Sequence, residues 1–262
     1  MFICTKNLII FPGNGKTGSS SIKTYLNKNH DKLLDQGIFY LGMSFNNVKS
    51  IKYDKLSSLQ HLLGGEIIKD PIKICEFSVD QINHAFNVHK NCHTFLWINE
   101  SMIDQHHWFL NHFKRSLDLT SSYNVTYKII YGIRDPSEYA ISAFFQWGEG
   151  YEFRDFVLNR LMSLFGSSAR GWLKVCDDFS VICKTRQNNI ILDFIKNINF
   201  ENDLPIPNIT ENITSSKPNY SKHKHELYLE QLNNDEELIK WRKTINKRYH
   251  DLLKYQLPSC TS

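Results

Sequence analysis

The sequence predicts an α/β protein, a mainly parallel central sheet flanked by helices. Three observations predict it. Short apolar runs rich in β-forming residues recur along the chain. Segments with helical spacing separate them. The first run ends in a glycine loop that opens a helix. Strands divided by helices need crossover connections, and these make neighbouring strands parallel.

Each element has its own signal. Residues 7–11, Asn-Leu-Ile-Ile-Phe, read as the first strand, stopped by Pro12-Gly13. From Ser19 the period changes. Ile22, Tyr25, Leu26, Leu33 and Leu34 recur at helical spacing until Gly37 ends the run. Residues 73–77, 93–98, 127–133 and 179–184 read as further strands, with helical stretches over 102–119 and 136–147 between them. Residues 202–222 are rich in Pro, Asn and Ser and read as an extended loop. Residues 223–255 carry Leu227, Leu232, Leu238, Trp241, Ile245, Tyr249 and Leu252 at helical spacing, which predicts one or two C-terminal helices. The expectation is a single domain over residues 1–262, with its ligands at the carboxyl ends of the strands.

Composition excludes several classes. The 31 basic and 27 acidic side chains leave a net charge of +4, too small for a nucleic-acid partner, and no dense basic stripe with interleaved aromatics occurs. No apolar run approaches the roughly 18 residues of a membrane span. The first thirteen residues lack the features of a secretion signal, since Lys6 interrupts a short apolar stretch. The expectation is a cytoplasmic protein without a transmembrane segment, compatible with peripheral membrane association. The cysteines at 4, 75, 92, 176, 183 and 260 form no Cys-x-x-Cys pair and read as buried free thiols. No metal-ligand spacing appears.

The glycine loop, Phe-Pro-Gly-Asn-Gly-Lys-Thr-Gly-Ser-Ser-Ser over residues 11–21, ends like an ATPase phosphate loop at Gly15-Lys16-Thr17. The first glycine of that pattern would fall at position 10, which is Ile10. The loop still suits an oxyanion. Glycines let several backbone N–H groups converge, and the following helix adds its N-terminal donors and dipole. Ser19, Ser20 and Ser21 can cap the helix or donate hydroxyls, and Lys16 adds a point charge. A plain glycine turn with a surface lysine is the competing reading.

A second stretch ends a strand on Arg134, places Pro136 to open a helix, and puts Ser142 eight residues after the arginine. Guanidinium and hydroxyl together make a second oxyanion site. Pairing of Arg134 with Asp135 or Glu138 is the plainer alternative. Residues 15–42 resemble the 5′-phosphosulfate loop and following helix of the PAPS-dependent sulfotransferases. The likeness is to the carbohydrate-sulfotransferase-like subgroup with a Lys-Thr-Gly-[Ser/Thr]-[Ser/Thr]-[Ser/Thr] loop. Residues 129–147 are similar to that superfamily's 3′-phosphate motif. Gly15 departs from the Pro that many members carry before the lysine.

The resemblance implies a P-loop-like phosphosulfate loop and the donor 3′-phosphoadenosine 5′-phosphosulfate (PAPS). Gly15, Lys16, Thr17, Gly18, Ser19 and Ser20 would hold the phosphosulfate, and Arg134 and Ser142 the 3′-phosphate. It implies a hydroxyl acceptor, a glycan by the subgroup likeness, and no metal. Transfer needs an offset for charge on the leaving oxygen, for which Lys16 is the candidate. It also needs a base. Glu100 follows the run 93–98 and is the first candidate, with His106 and His107 as rivals. A glutamate at the N-terminus of the next helix is the plain reading of Glu100. Lys217, Lys222 and Lys224 read either as solvated basic residues or as groups reaching the nucleotide. The aromatics Phe144, Phe145, Trp147, Tyr151 and Phe153 suit either core packing or sugar stacking. Two rival functions stay open: a P-loop-type kinase of nucleotides or small molecules, and a non-catalytic nucleotide-binding relative.

Overall fold

A computed structural model of the chain describes residues 4–12, 17–42, 45–48, 71–99, 107–161, 173–174, 176–184, 190–200 and 221–255. Among them lie five strands: β1 (Thr5–Phe11), β2 (Ile38–Tyr40), β3 (Thr94–Ile98), β4 (Asn124–Arg134) and β5 (Asp178–Lys184). They form one sheet in the order β2-β3-β1-β4-β5, and every pairing is parallel. The expected α/β architecture is what the chain adopts.

Both faces of the sheet are buried, which is why its strands read as continuous apolar runs. Side chains alternate with period two. Leu8 and Ile10 of β1 face one core, and Ile9 and Phe11 the other. The first core is covered by α3 (Pro71–Val88) and α4 (His107–Thr120). The second is covered by α1 (Ser19–Lys28), α2 (His30–Asp35) and α7 (Ile190–Asn197). A third core belongs to helices alone: α5 (Pro136–Trp147), α6 (Phe153–Arg160), α8 (Lys222–Asn234) and α9 (Glu236–Leu253). Tyr139, Phe156, Leu232, Leu238 and Trp241 fill it. Asp235 caps α9 by accepting from the Glu237 and Leu238 N–H groups, and its carboxylate also takes Arg154 Nε at 3.0 Å. That contact ties α6 to the junction of α8 and α9.

The helical lobe joins the sheet through the end of α9. Leu252 lies in the first core, and Tyr249 packs against both the first and the third. The Tyr249 hydroxyl lies 3.0 Å from Cys183 Sγ on β5. Just beyond α9, the Tyr255 carbonyl accepts from the Val181 N–H of β5 at 3.0 Å, which covers an edge strand's outward donor.

Three readings change. Residues 73–77 are not a strand but lie inside α3, where Ile74, Cys75, Val79, Ile82, Ala85 and Phe86 make one buried helical stripe. A five-residue apolar run looks the same in either state. The helix expected to run on to Gly37 is two helices meeting at Asn29, whose side-chain amide turns back to the Tyr25 carbonyl at 2.8 Å. The C-terminal helical part starts at Lys222, capped by Ser221, so Lys222 belongs to the helix rather than to the loop. Of the described cysteines, Cys75, Cys92, Cys176 and Cys183 are buried and Cys4 is exposed, all of them free thiols.

The connections also diverge at the ends of β1 and β3. β1 passes the chain to α1 on one face, whereas its neighbour β3 passes it to α4 on the other. Ligands gather outside the carboxyl ends of strands where connections diverge in this way.

Candidate functional site

The loop after β1 returns to the sheet at Thr17. This residue is fully buried. It lies against Gly132 of β4 so closely that a Cβ there would fall 2.7 Å from Thr17 Oγ1 and 2.7 Å from the Phe11 ring. Glycine inside an otherwise apolar strand is what this approach requires. Arg134, two residues further, ends β4. The described part of the loop and the arginine therefore stand at the same end of two hydrogen-bonded strands.

Gly18 follows as the N-cap of α1, with φ +92°. It supplies no side-chain cap, and the first bond of the helix runs from the Ile22 N–H to the Gly18 carbonyl at 3.1 Å. The three serines could cap this helix and donate hydroxyls as well, and none of them is its N-cap. Instead Ser19, Ser20 and Ser21 form its first turn, Ser19 buried and Ser20 exposed. The N-cap residue thus brings no side-chain acceptor of its own, and the helix start keeps its dipole.

Arg134 is 5% exposed and Ser142 is 6% exposed. Asp135 caps α5, accepting from the Ser137 N–H at 2.9 Å and the Glu138 N–H at 3.1 Å. Its carboxylate is thereby committed to the helix. The Arg134 guanidinium pairs instead with Glu138, Nη2 to Oε2 at 3.3 Å. Of the two partners open to Arg134 in the sequence, the structure selects Glu138. The same Oε2 lies 3.7 Å from His225 Nε2 of α8. His225 is 8% exposed. Sequence reasoning missed it, because nothing local in Lys-His-Lys-His-Glu says which histidine turns inward. It missed Gly132 as well, although a glycine within an apolar strand was a visible signal.

At the end of β3, the Asn99 N–H donates to the Phe11 carbonyl at 3.1 Å, and Asn99 is 1% exposed. The chain therefore leaves β3 beside the end of β1. Gly15, Lys16, Glu100, His106 and Lys217 lie outside the described residues, as does the side chain of His107. Lys222 is largely exposed and lies 3.9 Å from Glu226 one turn on. Phe144 packs edge-on against Phe153, Phe156 and Tyr228, and Phe145 and Phe153 are buried, so these three are core. Trp147 and Tyr151 are 44% and 42% exposed.

Nearby, burial first and the charges of Asp135 and Asp193 next push the Cys183 thiol up, while its contact with Tyr249 pulls it down. Burial likewise holds the Tyr249 phenol well above its usual range, followed by its contact with Cys183. Both stay neutral at neutral pH. Among the described residues, no group of three or more His, Cys, Asp or Glu is placed to hold a metal ion, and no helix is long and apolar enough to cross a membrane.

No protein-family model matches the chain, and no curated protein does. Among solved structures, the crystal structure of a fungal RNA kinase overlaps 98% of this chain and 100% of its own, at 13% identity and a TM-score of 0.33. A likeness at that level carries no functional argument.

Proposed function

We propose that the chain is a PAPS-dependent sulfotransferase that moves a sulfuryl group to a hydroxyl, with a carbohydrate as the acceptor. The observation that carries the reading is the contact of Thr17 with Gly132, two residues before Arg134. It puts Thr17, the described end of the loop, and the arginine at one end of adjacent strands, which suits a donor phosphorylated at both ends. The residues fit such a donor. The start of α1, with glycine as its N-cap, suits an oxyanion. Gly132 keeps open the space in which Thr17 seats the loop.

When bound, PAPS supplies an activated sulfuryl group on a phosphate oxygen. Gly15, Lys16, Thr17, Gly18, Ser19 and Ser20 would hold that end, and Arg134 with Ser142 the 3′-phosphate. Lys16 would set a positive charge beside the departing oxygen. Glu100, one residue beyond Asn99, is the group to which we assign the acceptor's proton, ahead of His106 and His107. Most of the rate would come from alignment and electrostatics, as in phosphoryl transfer.

A kinase is the second reading, favoured by Gly15-Lys16-Thr17 and the all-parallel sheet. Against it stands Ile10, where the missing glycine belongs. It is 1% exposed in β1 and paired with Trp97 and Ile129. Phe11 ends the strand, so only Pro12, Gly13, Asn14 and Gly15 precede the lysine, a loop two residues too short for the kinase pattern.

Titration calorimetry with 3′,5′-ADP, 5′-AMP and ATP–Mg²⁺ separates the readings. Tight binding of 3′,5′-ADP alone is expected. A preference for ATP–Mg²⁺ would replace the sulfotransferase with the kinase. Silence from all three would leave a non-catalytic relative.

A further inference from the structure

Glu138 and Ser142 lie four residues apart on one face of α5, and Arg134 meets that face from the end of β4. The carboxylate between them is shared. Glu138 Oε2 lies 3.3 Å from Arg134 Nη2 and 3.7 Å from His225 Nε2. The side chains of Arg134, Glu138 and His225 are 6%, 22% and 10% exposed. A pair this enclosed is costly unless its geometry is used. The donors of a guanidinium are coplanar, so a bond at one nitrogen fixes the direction of the others. His225 stands in the first turn of α8, its N–H donating to the Ser221 carbonyl at 3.0 Å, so it carries that helix's position to the carboxylate.

We propose that Glu138 and His225 are positioning residues for recognition of the 3′-phosphate: Glu138 sets the plane of the Arg134 guanidinium, and His225 holds Glu138. This rests on the reading of Arg134 as the group that binds the 3′-phosphate. Two effects oppose each other. The carboxylate orients the arginine, but its negative charge also repels an incoming phosphate. His225 Nε2 stands 3.7 Å from that same oxygen, beyond hydrogen-bond length, so it hems the carboxylate in rather than bonding it, and enclosure from both sides favours orientation as the larger effect. If repulsion dominated, removing the charge would tighten 3′,5′-ADP.

The test is calorimetry with 3′,5′-ADP and 5′-AMP on the full chain, as wild type, Glu138→Gln, His225→Gln and the double variant. Each single variant is expected to reduce the preference for 3′,5′-ADP about five- to tenfold, with 5′-AMP affinity kept within about twofold. The double variant is expected to fall no further than Glu138→Gln, because the histidine acts through the carboxylate. An unchanged or increased preference in Glu138→Gln would overturn the proposal. So would an indifferent His225→Gln, or losses that multiply in the double variant. If Glu138→Gln does not fold, Glu138→Asp carries the same test, since it keeps the charge and shortens the reach. A wild type that does not prefer 3′,5′-ADP removes the underlying reading of Arg134, a different result from a preference that survives Glu138→Gln.

Discussion

Gly18 meets two demands at once. Its φ of +92° is one that side chains with a Cβ rarely adopt, and a Cβ there would stand 2.8 Å from Ile190 Cγ2. Gly18→Ala should therefore cost about 2–3 kcal/mol, the sum of a left-handed backbone and a displaced core side chain. Gly150 makes the control. Its φ is +81° but nothing lies within 4 Å, so Gly150→Ala should cost about 1 kcal/mol, the backbone part alone. Urea denaturation measures both, and equal losses would show that α7 does not press on Gly18. Gly132→Ala should cost about 1–3 kcal/mol and also weaken 3′,5′-ADP binding in calorimetry, since the new methyl pushes on Thr17. Unaltered binding in a destabilised variant would remove Gly132 from the site. Lys16→Ala should abolish sulfuryl transfer while thermal unfolding stays near wild type, and near-normal turnover would take Lys16 out of the mechanism. Gly18 was legible because it stands inside a contiguous motif. The contact of Gly132 with Thr17, and of His225 with Glu138, joins residues distant in sequence, and only the fold brings them together.

At the scale of elements, α3 shows how burial decides chemistry. Cys75 sits on its inward stripe, fully buried, and burial, with a smaller push from Glu76, raises its thiol from 9.0 to about 12. Cys176, before β5, is raised to about 11, mainly by burial. In the unfolded chain these thiols ionise near their ordinary value. Above it the unfolded state releases protons that the folded state still holds, so stability falls as pH rises. Urea midpoints should drop between about pH 9 and pH 11, and Cys75→Ala should flatten that slope even though it lowers stability at neutral pH. A slope unchanged by Cys75→Ala would mean that this thiol does not cause it. In the native protein near neutral pH, a thiol reagent should label Cys4 quickly and Cys75, Cys92, Cys176 and Cys183 slowly. Four of the five strands were legible as apolar runs. The misread run at 73–77 was too short to show its period, and β2 is three residues long. The helices α6 and α7 are eight residues each, short enough for their spacing to stay ambiguous.

At the scale of the whole molecule, the question is whether the sheet and the helical lobe unfold as one body. Each has its own core, which alone would permit two transitions. Among the described residues the link between them runs through Leu252 in the sheet's core, Tyr249 touching both cores, Tyr255 bonded to β5, and Asp135 capping α5 at the end of β4. Leu252 is buried and Tyr249 partly buried, so these contacts should bind the two bodies into one cooperative transition. Trp97 lies in the sheet's core and Trp241 in the lobe's, which gives each body its own fluorescent reporter. In variants that retain one or the other, both should report the same urea midpoint. Leu252→Ala removes the main apolar tie at a cost of about 2–5 kcal/mol. Tyr249→Phe removes the hydroxyl's contact with Cys183 and should cost about 1 kcal/mol. After Leu252→Ala the Trp241 signal should fall at lower urea than the Trp97 signal, because the lobe loses its anchor while the sheet keeps two covered faces. Coincident midpoints in that variant would show that the junction at Asp135 and Arg134 suffices to couple the bodies. The site would then sit on the stiffest part of the molecule rather than at its seam.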